Sequence, residues 1–216
     1  MNIERRKISD NVELLIGRFP DDEESMLQNF STLQEVLRAE LSFVSNRQRK
    51  LEILGTHLLL KFFFNEEKRI YHEDNGKPYV DDRNLKISIS HSSHEEVVVA
   101  IIIGKANSLG IDIERKRPTL FRVNHKFLSE KEQKQIFQKP TCCQLDLLAL
   151  YWCAKETVYK MMPVSLPNFV DEIIVDPFEV SESGKMTVWA DMRGEKKKLM
   201  LEYELTDEYA LTYSVI

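Results

Sequence analysis

Four residues in the second half of this chain have the types and spacing for chemistry at a phosphate: Asp112, Glu114, Glu156 and Lys160. In Leu109-Gly110-Ile111-Asp112-Ile113-Glu114, apolar and acidic residues alternate, as on a strand. Strand side chains alternate faces, so Asp112 and Glu114 project the same way. About 40 residues on, Trp152-Cys153-Ala154-Lys155-Glu156-Thr157-Val158-Tyr159-Lys160 reads as a helix, with Glu156 and Lys160 one turn apart on a shared face. Three carboxylates from a strand and a helix form a hard oxygen donor set of the kind Mg2+ takes, together with waters and substrate phosphates. A lysine on that face would stand beside any phosphate the metal recruits. The plainer reading is a solvated edge strand and an ordinary i,i+4 helix pair worth about 0.2–0.5 kcal/mol.

The elements that must position these residues are legible along the chain. Residues 11–19 alternate as a strand. The charge run Asp21-Asp22-Glu23-Glu24 precedes a helix traced by Met26, Phe30, Leu33, Val36 and Leu37. A longer helix is expected over 46–64, with Leu51, Leu54, Leu58 and Phe62 on its apolar stripe and Arg47, Arg49 and Lys50 in its first turn. Asp74-Asn75-Gly76-Lys77-Pro78 is a turn. Residues 86–90 form a strand, 91–96 a loop, and 97–103 a buried strand. The small polar stretch Gly104-Lys105-Ala106-Asn107-Ser108 divides the chain into halves 1–104 and 105–216. The second half has a strand at 110–114, helices at 129–138 and 145–162, and strands at 172–175, 186–190, 199–204 and 210–215. Glu195-Lys196-Lys197-Lys198 is expected to be a hairpin turn. The fold class is α+β, each half placing helices on an antiparallel sheet. Element order alone, without a sequence repeat, suggests two similar halves related by a pseudo-two-fold.

Composition sets the bounds. The chain has 216 residues, 43% hydrophobic and 30% charged, with a net charge of -5. A core is available, and a general nucleic-acid binder, which is usually basic, is not expected. The three cysteines have neither disulfide-framework nor zinc spacing, and suit reduced thiols in the cytoplasm. No apolar segment of a signal peptide follows the N-terminus. The longest apolar run, 97–103, is far below the ~20 residues that span a bilayer. A soluble, cytoplasmic monomer without membrane contact is expected.

Five ordered segments complete the pattern: Gly76-Lys77-Pro78, Ile89-Ser90-His91-Ser92, Gly110-Ile111-Asp112-Ile113-Glu114, Phe127-Leu128-Ser129-Glu130-Lys131-Glu132, and 152–160. This set resembles the 4'-phosphopantetheinyl transferases, in particular the larger surfactin-type class whose single chain holds two similar halves. The resemblance implies transfer of the phosphopantetheine arm of coenzyme A to a serine of an acyl or peptidyl carrier protein, releasing 3',5'-ADP, with an active site in the cleft between the halves. It implies Asp112, Glu114 and Glu156 as Mg2+ ligands, and Lys160 beside the pyrophosphate. It implies Glu132 or Glu156 as acceptor of the serine proton. Ser90 and His91 match the coenzyme A-binding pair, and Gly76, Lys77 and Pro78 match the turn beside the nucleotide.

Several of these residues have a structural reading too. Ser129-Glu130-Lys131-Glu132 has the form of a capping box, with Ser129 as N-cap and Glu132 reaching back. Lys155 either aids the phosphates or is simply exposed. Arg47, Arg49 and Lys50 stand where the helix dipole prefers acids, which suggests an anion neighbour such as the 3'-phosphate of coenzyme A. His57 falls where relatives often carry an arginine. By analogy with the family, carrier recognition is expected over 161–175, where Met161 and Met162 suit either an adaptable apolar contact or the core. The rival readings are a metal-dependent phosphohydrolase and a non-catalytic binder of coenzyme A or a carrier.

Overall fold

The computed structural model describes residues 1–82, 84–93, 96–162, 168–192 and 194–216. The chain divides into two compact units, Met1–Asn107 and Ser108–Ile216, and the division falls inside the polar stretch 104–108. The fold is α+β, with antiparallel sheets.

The first unit runs β1 (Asn2–Ser9), β2 (Val12–Phe19), α1 (Glu23–Leu27), α2 (Gln34–Ser42), α3 (Arg47–Phe64), β3 (Tyr71–His72), β4 (Pro78–Tyr79), β5 (Lys86–Ser93) and β6 (Val97–Gly104). Its main sheet has the order β1-β2-β6-β5. The β-branched run of β6 is buried along its whole length, and Val99 and Ile101 share a core with Leu51, Leu54 and Leu58 of α3. The second unit runs β7 (Leu109–Arg115), α4 (Thr119–Val123), α5 (Glu130–Phe137), α6 (Thr141–Met161), β8 (Ile173–Val175), β9 (Ser183–Met192), β10 (Glu195–Leu205) and β11 (Tyr209–Val215). Its sheet has the order β7-β11-β10-β9-β8. Each unit contains a strand, a long helix and a later hairpin whose last strand returns beside the first: β2, α3, β5–β6 in one and β7, α6, β10–β11 in the other. No helix among the described residues is long and apolar enough to cross a membrane.

Four local expectations change. Residues 2–9 form a strand that the mixed charged sequence conceals, paired with β2 from Asn2↔Arg18 to Ser9↔Val12. The helical pattern beginning at Met26 breaks into α1 and α2, because the amides of Ser31, Thr32 and Leu33 donate to the Glu67 carboxylate at 2.8, 2.9 and 2.8 Å. Strand β5 continues through Ser93, so His91 lies on a strand and not in a loop. Residues 195–198 belong to β10, with Lys198 opposite Trp189, and the reversal is made at Gly194, whose φ of 82° suits glycine.

Candidate active site

Gly110 sets the spacing between β7 and α6. A Cβ there would lie 2.4 Å from the carbonyl oxygen of Thr157 and 2.7 Å from Met161 Cγ. The helix backbone therefore packs against the strand only because position 110 has no side chain. Gly110→Ala is expected to cost about 1–3 kcal/mol, the usual range for overpacking. It should also depress activity by shifting Glu156 and Lys160 along with the helix. Thermal unfolding and a steady-state assay of the same sample check both effects.

Across this contact, Thr157 Oγ1 lies 2.6 Å from Thr212 Oγ1 on β11, and Thr212 is the register partner of Asp112. Cys153 donates to the carbonyl of Ala210 at 3.3 Å, and Ala210 pairs with Glu114. Cys153, Thr157 and Lys160 thus present one helical stripe to the strands that carry the two acids. Lys160 Nζ donates to Asp112 Oδ1 at 2.8 Å and to the Ile111 carbonyl at 2.9 Å. Glu114 accepts from Arg117 Nη2 at 2.5 Å.

The charge of Asp112 bears on both glutamates. Burial pushes the Glu156 carboxyl up to about 7, and the charge of Asp112 and, less strongly, that of Glu114 push the same way, against the opposing pull of Lys160. Glu114 is also raised, chiefly by burial, against the pull of Arg117. Burial holds the Cys153 thiol well above its ordinary range, with Asp112 and Glu114 adding to the effect, so it stays a thiol and is no nucleophile. Three acids face two cations at a largely buried spot, and a divalent cation would relieve the excess negative charge. The all-oxygen donor set fits a hard ion such as Mg2+. Among the described residues, however, no three acidic, histidine or cysteine side chains close on a single point as a metal cage. Asp112 and Glu114 are instead engaged by Lys160 and Arg117.

Glu132 and Lys155 form a separate centre. The capping box is present: Ser129 N donates to Glu132 Oε2 at 2.8 Å, and Ser129 Oγ accepts from Glu132 N at 3.3 Å. Glu132 is 1% exposed. Its Oε2 also accepts from Lys155 Nζ at 2.8 Å, and its Oε1 accepts from Val175 N at 2.9 Å. Lys155 Nζ donates further to the Phe169 carbonyl at 2.7 Å. Burial pulls the Lys155 ammonium below its ordinary range, against Glu132, which supports the charge. Both side chains are occupied inside the unit, and neither of the two sequence readings of Lys155 foresaw full burial.

In the first unit, β5 and α3 meet at His91. His91 and Ser93, two apart on one strand face, both reach Glu52: Nδ1 of His91 is 3.1 Å from Glu52 Oε2, and Ser93 Oγ donates to Oε1 at 3.0 Å. Arg49 Nη1 is 2.6 Å from His91 Nε2. Ser90, next to His91 on the strand, projects to the opposite face and is buried. Of the basic first turn, only Arg49 turns toward His91. Arg47 pairs with Asp21 at 2.6 Å, and Lys50 lies 3.8 Å from Glu23. The acids that the helix dipole favours thus come from the start of α1 and the residues just before it, and the Asn46 side chain caps Arg49 N at 3.1 Å. His57 is buried, hydrogen-bonded to the Lys68 carbonyl at 3.1 Å, and burial favours its neutral form. In the 74–78 turn, Gly76 has a φ of 84° and the Asn75 side chain accepts from Lys77 N at 2.9 Å. Pro78 opens β4, and burial lowers the Lys77 ammonium. Met161 and Met162 are both buried, which removes them as an exposed carrier contact. Residues 163–167 of the expected carrier segment lie outside the described residues.

The sequence reading missed Arg117, Thr157, Thr212 and Glu52. Arg117 stands three residues after Glu114, a spacing that was visible. The other three acquire their positions only through contacts between elements.

Comparison with known proteins bears on the same region. Residues 108–214, nearly all of the second unit, match the family model of the 4'-phosphopantetheinyl transferase superfamily. The chain is similar to 4'-phosphopantetheinyl transferase gsp of Aneurinibacillus migulanus, 25% identical over 207 residues covering 92% of this chain and 83% of that protein. It is similar to 4'-phosphopantetheinyl transferase HetI of Nostoc sp., 24% identical over 199 residues, 85% of this chain and 82% of the other. A shorter match, 29% identical over 119 residues, joins 54% of this chain to 49% of 4'-phosphopantetheinyl transferase ffp of Bacillus subtilis.

Proposed function

The chain belongs to the 4'-phosphopantetheinyl transferase superfamily, and we propose that, as an enzyme of that class, it moves the phosphopantetheine arm of coenzyme A to a serine of an acyl or peptidyl carrier protein in the cytoplasm. The products are holo carrier and 3',5'-ADP, and the reaction depends on Mg2+. The observation that carries this reading is the acidic cluster of Asp112, Glu114 and Glu156 beside Lys160, inside the region that matches the family.

In the reaction, the serine oxygen forms a bond to the phosphorus bearing the pantetheine arm, the bond from that phosphorus to 3',5'-ADP breaks, and the serine proton passes to a base. Asp112, Glu114 and Glu156 would hold Mg2+, which when bound withdraws charge from the phosphate oxygens and stabilises the leaving group. Lys160 has three N–H donors, two of them used by Ile111 and Asp112, and directs the third toward phosphate oxygens where charge builds. Of the two candidate bases we infer Glu156, whose carboxyl stands with Asp112, Glu114 and Lys160 where the phosphate chemistry is proposed. Glu132, with its oxygens occupied by Ser129, Lys155 and Val175, instead supports the fold around the helix that carries Glu156.

The decisive experiment is the intact mass of apo carrier protein after incubation with coenzyme A and Mg2+. A gain of one phosphopantetheine mass is expected. Consumption of coenzyme A with unchanged carrier would indicate a phosphohydrolase, and no change in either a binder.

For the nucleotide end, Arg49, held by His91, supplies the donors to the anion. Arg49→Ala is expected to weaken coenzyme A by about 1–3 kcal/mol, the scale of a lost charge-assisted hydrogen bond. Dephospho-coenzyme A should be affected much less. Neutralising Arg47 and Lys50, which already pair with Asp21 and Glu23, should change both ligands little. Calorimetry with the two ligands separates these cases, and equal losses for both on Arg49→Ala would remove it from the 3'-phosphate.

A further inference from the structure

We infer that Glu52 is a positioning residue for the anion-binding Arg49: it holds His91 as the Nδ1–H tautomer, so that Nε2 accepts from Arg49 and fixes the guanidinium for the phosphate. The inference rests on the proposed role of Arg49 and His91 toward coenzyme A and adds a residue that would touch no ligand.

The argument follows from donor and acceptor inventory. An arginine guanidinium only donates and stays charged. With Arg49 Nη1 at 2.6 Å from His91 Nε2, that nitrogen must present its lone pair. A neutral imidazole then carries its single proton on Nδ1. Nδ1 lies 3.1 Å from Glu52 Oε2, a carboxylate oxygen that only accepts. Glu52 is in turn fixed by Ser93 Oγ at 3.0 Å and stands 3.4 Å from Arg49 Nη1. Its side chain is 12% exposed, against 49% for Arg49 and 34% for His91. The acid is thus set below the imidazole it holds, and the remaining N–H donors of Arg49 are the groups open to a ligand. The local order of the sequence explains why one carboxylate meets all three. His91 and Ser93 are two apart on one face of β5, and Arg49 and Glu52 are three apart on one face of α3.

The experiment joins a tautomer measurement to binding. Two-bond proton–nitrogen correlation spectra of the ligand-free protein report which ring nitrogen of each histidine carries the proton, and His91→Gln assigns the His91 signals among the five histidines. Wild type is expected to show His91 protonated on Nδ1. Glu52→Ala should shift His91 toward the Nε2–H form and weaken coenzyme A about tenfold, with dephospho-coenzyme A little affected. Glu52→Gln, whose amide oxygen still accepts from Nδ1–H, should restore most of the tautomer and the affinity, and it guards against a folding defect in the alanine variant. A wild-type His91 protonated on Nε2, an unshifted tautomer in Glu52→Ala, or a shifted tautomer with undiminished coenzyme A affinity would each overturn the inference. Wild-type protein that binds coenzyme A and dephospho-coenzyme A equally would instead overturn the phosphate role of Arg49 and His91, and it would be recognised as such because the tautomer is read without ligand.

Discussion

Glu156→Gln is expected to abolish transfer while making the metal-free protein more stable at pH 8. Burial, with the neighbouring charges of Asp112 and Glu114, raises the Glu156 carboxyl from the usual 4.5 to about 7. A carboxyl raised by folding contributes stability that is fully present below its unfolded value and is lost as pH rises through its folded value. Between about 4.5 and 7 the native protein therefore pays for ionising Glu156. Glutamine is neutral throughout. The variant should match wild type at pH 4 and exceed it above pH 7 by about 2 kcal/mol, after allowance for partial exposure. In a chain of this length that is about 4–8 °C in Tm. Transfer should fall by about 100- to 10,000-fold, the range for a lost general base, and further if a metal ligand is lost too. Melting curves across pH without divalent ions, paired with rates at saturating coenzyme A, carrier and Mg2+, make the test. A rate near wild type would remove Glu156 from the chemistry, and an unchanged Tm at pH 8 would show that the cluster is not strained by charge. An acid kept at a cost in stability is a mark of function.

Breaking the Glu132–Lys155 pair is expected to destabilise the protein by about 3–5 kcal/mol, the penalty of a buried charge left alone. Lys155 has no exposed surface, and its ammonium is held by Glu132 and the Phe169 carbonyl. In Glu132→Gln the amide oxygen can still accept from Ser129, so the cap survives, but the counter-charge is gone. The deficit should shrink as pH rises, because a Lys155 already pulled down by burial then sheds its proton inside the fold. Lys155→Met combined with Glu132→Gln should be more stable than Lys155→Met alone, since no uncompensated charge remains. Chemical denaturation of the two single variants and the double variant gives the coupling. Strictly additive effects would mean that the pair is not coupled and that each residue acts alone.

These two centres differ in how far the sequence could reach them. Strand alternation placed Asp112 and Glu114 on one face, and helical spacing placed Glu156 and Lys160 on another, because periodicity is a local property. The capping box at Ser129 was legible for the same reason: its partners are three residues apart. The long helix of each unit and the buried strand β6 were likewise written in their apolar patterns.

Other assignments depended on partners far along the chain. Lys155 looks in sequence like any surface lysine, and only the packing of α6 against α5 and the chain before β8 buries it with Glu132, 23 residues away. Arg47, Arg49 and Lys50 form one basic turn by sequence, yet Asp21 and Glu23 take two of them and leave the third to His91. A helix pattern gave way between α1 and α2 because Glu67, some 35 residues on, claimed its amides. Sequence by itself determined which chemical groups share a face within an element, since backbone geometry fixes that. Tertiary structure decided which charges are neutralised, which acid is raised and which histidine nitrogen can accept, because burial and pairing depend on neighbours that only the folded chain brings within a few ångströms.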